Sequence, residues 1–292
     1  MLEIEGIRLG FFCSTQDGKV TTNRKFHLKN LTFERVMEAF EKNLRDFELL
    51  LDLSLSLGCG VFRLGSDMVP FASHPNFKRE WLRPIEEALV GFSRRLKDYP
   101  IRITMHPGQF VVLSSPKEQV LSASLRELEY HFWLLDRLGV GREGVVVVHV
   151  GGLFEGKEGA LKRFKKVLKE QGWLTERLVV ENDERHYTVE DLLRAELPIP
   201  IVYDHYHHTL NPSNFQPDEV LSTWGDRVPE FHLSSKPEGR HRFGEHGEWV
   251  KREDFLVFLR LFGGRRVDLI LEAKAKEKAL QRLLTEIKSI GL

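Results

Sequence analysis

Short apolar runs and amphipathic segments alternate along almost the whole chain, and this alternation strongly restricts the folds open to it. Eight runs rich in valine, isoleucine, leucine and phenylalanine recur, at residues 7–13, 61–66, 101–106, 145–150, 177–182, 199–205, 230–235 and 267–273. Each run is short and apolar, as is typical of parallel strands that are buried on both faces. The segments between them place leucine and phenylalanine at helical intervals, for example in 33–57 and 118–138.

Eight strands that alternate with eight helices predict an α/β fold, a single (β/α)8 TIM barrel that occupies residues 1–292 as one domain. A doubly wound open sheet is the alternative. That fold would need a glycine-rich phosphate-binding turn after its first strand, and residues 10–19 (GFFCSTQDGK) contain no GxGxxG motif. The barrel is therefore the expected fold.

Composition gives little direct information about partners. Lysine plus arginine equals aspartate plus glutamate at 43 each, so only a local basic patch could bind nucleic acid. No apolar run reaches the roughly 18 residues of a membrane span, and the N-terminus has no signal-peptide pattern. Cys13 and Cys59 form no CxxC motif and are expected as core thiols in a reducing compartment. We therefore expect a cytoplasmic protein with no membrane partner.

Ionisable side chains end six consecutive strand-like runs, at the face where barrel enzymes have their active sites. The strands contribute His106, His149, Glu181, Asp204, Glu230, His232 and Glu272, and the loops contribute His74, His207 and His246. Burial of so many ionisable groups is costly unless they are paired or bind metal ions. Because lysine and arginine are nearly absent from these strand ends, we expect metal ions rather than ion pairs.

These six histidines and four carboxylates exceed the ligand number of one ion, so two or three ions are expected. The mixed ligand set favours Zn²⁺ or Mn²⁺ over a site for Mg²⁺ or Ca²⁺ with oxygen ligands alone. Clustered divalent ions suit phosphodiester hydrolysis, because they bind the phosphate oxygens, activate water and stabilise the leaving oxygen. Metal-dependent sugar isomerases use a similar barrel face and are an alternative.

The motifs around these residues resemble those of the UV damage endonucleases. The matching stretches are MHPGQF (105–110), VVVHVGG (146–152), VENDER (180–185), YDHYHH (203–208), FHLSS (231–235), LEAKAK (271–276), FRLGSDMVPFASHP (62–75) and TTNRKFHLKNLTFERV (21–36). They extend from about residue 7 to residue 277. That family is similar in architecture to the endonuclease IV type of abasic-site nucleases, which share the barrel and three metals.

The resemblance implies a metal-dependent DNA repair endonuclease. Such an enzyme nicks double-stranded DNA 5′ to cyclobutane pyrimidine dimers and 6-4 photoproducts and leaves 3′-hydroxyl and 5′-phosphate ends. We expect up to three divalent ions, with Mn²⁺ first and Zn²⁺, Mg²⁺ or Co²⁺ as alternatives. No obligate protein partner is expected, and the enzyme would associate with the nucleoid during repair. The alternatives are an abasic-site endonuclease, a sugar isomerase of the same barrel class and a damage-binding protein without catalysis.

The resemblance also implies how the ligands divide among the ions. His106, His149 and Glu181 would hold one ion, and Glu181, Asp204, His232 and Glu272 a second. His207 and His246 would help to hold a third, and His74 has no assigned ion. Family members can carry a carboxylated lysine where this chain has Glu230, which shares a strand face with His232. We expect Glu230 to replace that group and, with Glu181, to hold a metal-bound hydroxide; an ordinary polar residue is the alternative.

Several further residues are expected to contact DNA or to orient the ligands. By resemblance, Gln109 and Phe110 form a wedge that fills the gap left by a flipped lesion, although Phe110 could instead pack in the core. The same resemblance implies that Phe11 and Thr15 lie near the damaged bases. Phosphate contacts are expected from Lys236, Arg240 and Arg242, and from Lys19, Arg24 and Lys25, unless these form a solvated face. Asn182, Arg185 and His205 are expected to orient the ligands or to be structural.

Overall fold

The structure, a computed structural model that describes residues 3–291, contains the predicted parallel barrel. Its strands are β1 (Glu3–Ile4), β2 (Ile7–Phe12), β3 (Val61–Leu64), β4 (Arg102–Met105), β5 (Val146–His149), β6 (Leu178–Glu181), β7 (Ile201–Val202), β8 (Glu230–Leu233) and β9 (Val267–Leu271). Its helices are α1 (Phe33–Ser56), α2 (Leu82–Leu96), α3 (Glu118–Arg137), α4 (Gly156–Glu170), α5 (Val189–Ala195), α6 (His205–Leu210), α7 (Pro217–Ser222), α8 (Arg252–Phe262) and α9 (Lys276–Lys288). None of the helices between residues 3 and 291 is both long and apolar enough to cross a membrane.

The eight barrel strands pair in parallel in the order β7, β6, β5, β4, β3, β2, β9, β8. The ring closes between β7 and β8 through a bridge that pairs Asp204 with His232. There the His232 amide donates to the Tyr203 carbonyl at 2.9 Å. The additional strand β1 pairs antiparallel with β2. Closure brings the carboxyl ends of β4 to β9 to one rim, which is what a shared site needs.

Two apolar layers support this rim. The large layer lies between the strands and the helices, where Phe40, Phe47 and Leu51 form the buried stripe of α1. A smaller cluster fills the barrel interior and consists of Val145, Val147, Val179, Val202 and Trp224. Side chains alternate between the two faces of a strand, so the interior valines share their face with the strand-end ligands two residues on. The valine layer is therefore the floor beneath the polar rim.

The interior also contains charge at the opposite, amino-terminal end of the strands. Asp268 is fully buried and receives two bonds from Arg8, at 2.6 and 2.7 Å. Arg102 donates to the same carboxylate at 2.9 Å. Because both oxygens of Asp268 have cationic partners, this buried charge is compensated, which is the condition under which buried ions are tolerated.

The predicted strand at 199–205 is shorter than expected. β7 ends at Val202, and α6 begins at His205 with Asp204 as its N-cap. The Asp204 carboxylate accepts the His207 amide at 2.6 Å, so the aspartate fixes the first turn of the helix. The single helix expected before the next strand is also replaced by two short helices, α6 and α7. Pro212 lies between the two helices, and its ring prevents α6 from extending further.

Candidate metal centre

Seven of the ten predicted ligands come together at the carboxyl-terminal rim. The three groups are His106, His149 and Glu181; Glu181, Asp204 and His207; and Asp204, His232 and Glu272. Within each group the candidate ligand atoms all lie within 4.8 Å of one another. Glu181 and Asp204 each belong to two groups, so the seven side chains form one continuous cluster, which we call the rim cluster. Buried imidazole and carboxylate groups at this spacing could hold divalent metal ions.

Glu181 stands at the centre of the rim cluster. It pairs in register with His149 across β5 and β6, and it is only 1% exposed. Four imidazole nitrogens surround its carboxylate: His106 Nε2 at 3.0 Å, His149 Nε2 at 3.5 Å, His207 Nδ1 at 3.2 Å and His232 Nδ1 at 3.0 Å. Burial opposes ionisation of Glu181, but the imidazoles outweigh it and hold its pKa well below the usual range. The group is therefore an anion that faces ligands on both sides.

Several buried nitrogen and oxygen atoms of the rim cluster have no hydrogen-bond partner. Among the described residues these are His149 Nδ1, Glu181 Oε1, Asp204 Oδ2 and His232 Nδ1. Two of these atoms, Glu181 Oε1 and His232 Nδ1, lie 3.0 Å apart without hydrogen-bond geometry. Buried polar atoms are almost always satisfied, so a convergent set without partners needs an explanation. Divalent ions would satisfy these atoms, and the donor set fits them.

Backbone carbonyls fix the rings of three histidines at the rim. The Nδ1 atoms of His106, His207 and His246 each lie 3.0 Å from a carbonyl oxygen, of Pro107, Asn182 and Glu272 respectively. A carbonyl oxygen can only accept, so each Nδ1 donates to it, and Nε2 is the ring nitrogen left to face a metal ion. A second hydrogen bond of this kind is how proteins orient histidine ligands of metals.

Asn182 connects two parts of the rim cluster. Its Nδ2 donates to the Asp204 carbonyl at 3.1 Å, and the Asp204 amide donates to its Oδ1 at 2.8 Å. Its own carbonyl accepts from His207 Nδ1. One buried amide therefore positions the end of β7 and the first turn of α6, as expected for a residue that orients ligands.

We expect Asn182→Ala to lower metal affinity by about 10- to 100-fold, because residues that position ligands typically contribute that much. Binding of Mn²⁺ to the metal-free protein, measured by isothermal titration calorimetry, checks this. Asn211→Ala is the matched control, since the Asn211 side chain donates to the Asp183 carbonyl at 3.1 Å and contacts no ligand of the rim cluster. Equal affinity of the two variants would contradict the role of Asn182.

Arg63 is a charged residue of the candidate site that the strand-end residues did not indicate. It points from β3 into the barrel, nearly buried, and contacts Glu272, His232 and Glu230, the last at 3.4 Å. Burial alone would lower the Arg63 pKa, but Glu272 and Glu230 raise it, so the guanidinium stays charged. The expectation that ion pairs do not explain the carboxylates is therefore wrong for Glu230 and Glu272, which share this cation.

Glu230 precedes His232 by two residues on β8 and belongs to none of the three groups of the rim cluster. It is fully buried and accepts from His232 Nε2 at 3.3 Å. Burial opposes its ionisation, but the His232 hydrogen bond and Arg63 lower its pKa to about 2. Burial also opposes the charged form of His232 and would lower its pKa. The neighbouring Glu181 carboxylate outweighs this effect and raises the His232 pKa to about 9. The role of Glu230 as a metal ligand stays a prediction.

The remaining two candidate ligands differ in position. His246 lies beside the rim cluster, with Nδ1 3.4 Å from Glu272 Oε2 and its ring 5.7 Å from that of His207. His74 belongs to none of the three groups, and its Nδ1 accepts the Asn76 amide at 3.1 Å. It lines a cavity of about 620 Å³ together with His106 and Phe110.

The Gln109–Phe110 pair stands at the tip of a turn beside the rim cluster. The Val111 amide donates to the Gly108 carbonyl at 3.0 Å, which closes the turn, and Phe110 is 61% exposed. The alternative that Phe110 packs in the core is therefore excluded. The Phe110 ring therefore presents an apolar surface to solvent beside the rim cluster.

The structure corrects the position of Phe11. Its ring is completely buried in the outer core and packs edge-on against Phe62, with centroids 5.4 Å apart. Strand alternation turns Phe11 toward the helices, so Phe12 is the ring that faces the barrel mouth, under Lys276. Phe11 thus offers no surface to a DNA base. Thr15 lies at the rim, where its hydroxyl donates to Asp17 at 2.8 Å.

Two residues expected to orient ligands have other contacts. Arg185 touches no ligand of the rim cluster; its guanidinium lies 4.7 Å from the Phe243 ring centroid and pairs with Glu184 at 3.2 Å. His205 is buried against Tyr203, with Nδ1 3.1 Å from the tyrosine oxygen. This contact favours the structural alternative for His205.

The cations expected to contact phosphates also differ in their surroundings. Arg24 is engaged internally by Asp46 at 2.5 Å. By contrast Lys236, Arg240 and Arg242 are exposed, and none of their side-chain nitrogens lies within 4 Å of a carboxylate oxygen among the described residues. These three cations on the loop after β8 are free to bind phosphates.

Comparisons with known proteins decide the family. The model of the family described as UV-endonuclease UvdE matches residues 11–291. The chain belongs to this UV DNA damage endonuclease family. A UV DNA damage endonuclease of Bacillus velezensis is 32% identical over 246 residues, which cover 80% of this chain and 76% of the relative. The protein is accordingly an endonuclease that acts on DNA.

Solved structures agree with this assignment to the UV DNA damage endonucleases. The crystal structure of SacUVDE superposes with a TM-score of 0.88 at 32% identity and covers 97% of this chain and 99% of SacUVDE. Endonuclease IV from Thermus thermophilus gives a TM-score of 0.53 at 20% identity, over 96% of this chain and 99% of that protein. The second likeness shows a shared barrel fold and no more.

Proposed function

We propose that this endonuclease nicks double-stranded DNA 5′ to cyclobutane pyrimidine dimers and 6-4 photoproducts and leaves 3′-hydroxyl and 5′-phosphate ends. The observation that carries the proposal is the rim cluster around Glu181 in a UV DNA damage endonuclease, directly beside the exposed Gln109–Phe110 turn. Residues 1–292 would act as one domain.

The side chains of the rim cluster would hold two or three divalent ions. We propose Mn²⁺ first, with Zn²⁺, Mg²⁺ or Co²⁺ as alternatives. Divalent ions at such a site bind phosphate oxygens, make water nucleophilic at neutral pH and stabilise the leaving oxygen. Glu181 faces ligands on both sides and would link neighbouring ions, and Glu230 would act with it. His246 would complete the ligand set on the side of His207.

The protein's own side chains would separate a lesion from its surroundings. A linked dimer stacks and pairs poorly, so its removal from the helix costs less than that of two normal bases. Phe110 would fill the gap with its exposed ring, and Gln109 would hydrogen-bond the bases left unpaired. Lys236, Arg240 and Arg242 would bind phosphates and position the duplex. Selectivity would thus come from the turn and affinity from the basic loop.

Incision of a defined duplex tests the proposed function. A duplex that carries one thymine dimer should be nicked directly 5′ to the dimer in Mn²⁺, and EDTA should prevent this. Extension of the nicked strand by a DNA polymerase would show the 3′-hydroxyl. A nick at an abasic site with none at the dimer would indicate an abasic-site endonuclease. Conversion of a free aldose without incision would indicate a sugar isomerase, and dimer binding in EDTA without incision in any metal a damage-binding protein.

We expect Gln109→Ala to reduce the preference for dimer-containing over undamaged DNA by about tenfold, because the loss of hydrogen bonds to unpaired bases costs on the order of 1–2 kcal/mol. Metal affinity should be unchanged, because Gln109 is exposed and lies outside the rim cluster. Competition between labelled damaged and undamaged duplexes measures the preference. Gln281→Ala, at an exposed position of α9, is the control. Unchanged discrimination by Gln109→Ala would contradict the wedge.

A further inference from the structure

A second exposed aromatic side chain stands at the rim, on the loop after β8. Phe243 is 52% exposed, and the Arg185 guanidinium covers one side of its ring at 4.7 Å from the centroid. Exposed cation–π pairs stabilise a protein only weakly, and about half of the Phe243 surface stays open to a further partner. Neither Phe243 nor its contact with Arg185 has a role in the rim cluster.

The loop that carries Phe243 is held in place by its neighbours. Gly244 has a positive φ of 78°, and a Cβ there would lie 3.0 Å from the Glu184 side chain, so the turn sits directly on the loop after β6. The Arg242 amide donates to the Glu245 carboxylate at 2.9 Å. His246, a candidate metal ligand, lies three residues after Phe243. The turn that carries Phe243 is therefore anchored against the loop after β6 and lies close to His246.

The loop that carries Arg185 is also ordered by its own contacts. The Asp183 carboxylate accepts the amides of Arg185 at 2.8 Å and of Tyr187 at 3.2 Å. Between this loop and the turn that carries Gln109 lies a cleft of about 280 Å³. His106, His149, Gln109 and Arg185 are among the residues that line it. The cleft thus connects the wedge, two candidate metal ligands and the arginine that backs Phe243.

We propose that Phe243 and Arg185 form a stacking site for a nucleobase of the DNA bound across the rim cluster. This rests on the proposed function, because it requires DNA to be held over the cluster. The chemistry is that of aromatic rings and guanidinium planes that stack on unpaired bases and so bind any sequence. Gln109 and Phe110 would contact the DNA on one side of the cleft, and Arg185 and Phe243 on the other.

Steady-state incision of a dimer-containing duplex tests the stacking site. Phe243→Ala should raise KM about tenfold, since loss of one stacked base typically weakens binding on this scale, while kcat stays within about twofold. Phe243→Trp should restore the wild-type KM, because indole stacks at least as well as phenyl. Leu55→Ala, which shortens an exposed apolar side chain at the far end of α1, should change neither constant.

A measurement of the salt dependence separates stacking from charge. Phe243→Ala should keep the wild-type slope of log KM against log salt, whereas Arg242→Ala, which loses an exposed cation, should reduce it. A KM for Phe243→Ala within twofold of wild type, or no restoration by tryptophan, would overturn the stacking site and leave the proposed function intact. A wild-type protein that cuts no DNA would instead overturn the proposed function and this inference together.

Discussion

Glu181→Ala is expected to abolish incision, with a loss of more than about a thousandfold in rate, because several kcal/mol of transition-state stabilisation depend on bound ions. The Glu181 carboxylate is the one group with four imidazole nitrogens within 3.5 Å among the described residues. Alanine would leave these histidines without the anion between them. The bound metal measured by mass spectrometry should fall together with incision.

Two further variants make this result specific. Glu181→Gln keeps the size of the side chain but removes its charge, so it should lose incision almost as completely. Glu190→Gln, nine residues on in α5, removes a partly exposed carboxylate whose ion-pair partner among the described residues is Arg194, and it should behave as wild type. Circular dichroism should show that all three variants fold. Wild-type incision by Glu181→Ala, or full metal content, would contradict the central position of this carboxylate.

Much of the rim cluster could be predicted because strand ends are the simplest part of a barrel to locate. Each apolar run ends where polar residues begin, and in a closed parallel barrel all carboxyl ends meet at one rim. His149 and Glu181 illustrate this, since the last residues of two neighbouring runs are paired in register in the structure. The proximity of these two residues follows from the strand ends alone, without side-chain packing.

The start of α6 could not be predicted in the same way. The helix has six residues, too few for a 3.6-residue periodicity to appear in the sequence. Asp204 therefore resembled the continuation of a strand, whereas in the structure it caps a helix. The three-residue spacing of Asp204 and His207 was the available signal, because an N-cap aspartate accepts from the amide three residues later.

The sequence could not show whether the Phe11 side chain points into the barrel or toward the helices. A strand buried on both faces is apolar throughout, so hydrophobic alternation cannot show which residues point into the barrel. Arg8 indicates the direction, since it pairs with Asp268 inside the barrel. Phe12, four residues later on the same strand, lies on the same face as Arg8. Side-chain alternation also turns Arg63 into the barrel, where it lies below the end of its strand.

Arg63→Met is expected to lower the free energy of unfolding by about 3–5 kcal/mol, the usual effect of removing one member of a buried ion pair. Arg63 is nearly buried, and it is the cation that Glu230 and Glu272 share. Without it the fully buried Glu230 would keep, among the described residues, only the hydrogen bond from His232 to stabilise its charge. Denaturant unfolding in EDTA measures the change without a contribution from bound metal.

The double variant Arg63→Met/Glu230→Gln should be less destabilised than Arg63→Met alone, because it removes the anion that the arginine compensates. Arg83→Met is the matched control, since its pair with Glu87 is solvent-exposed and should contribute no more than about 1 kcal/mol. Equal unfolding free energies for the single and double variants would show that the buried pair is not coupled.

The metal content of Glu230→Gln then separates the two roles open to this carboxylate. If Glu230 serves only as the partner of Arg63, glutamine will lower stability and leave the bound metal unchanged. If it also takes the place of a carboxylated lysine, the variant will lose metal as well as stability. The buried Glu230 Oε2 has no hydrogen-bond partner among the described residues, so one oxygen stays available for a second contact while the other accepts from Arg63 and His232. We therefore expect the metal content to fall.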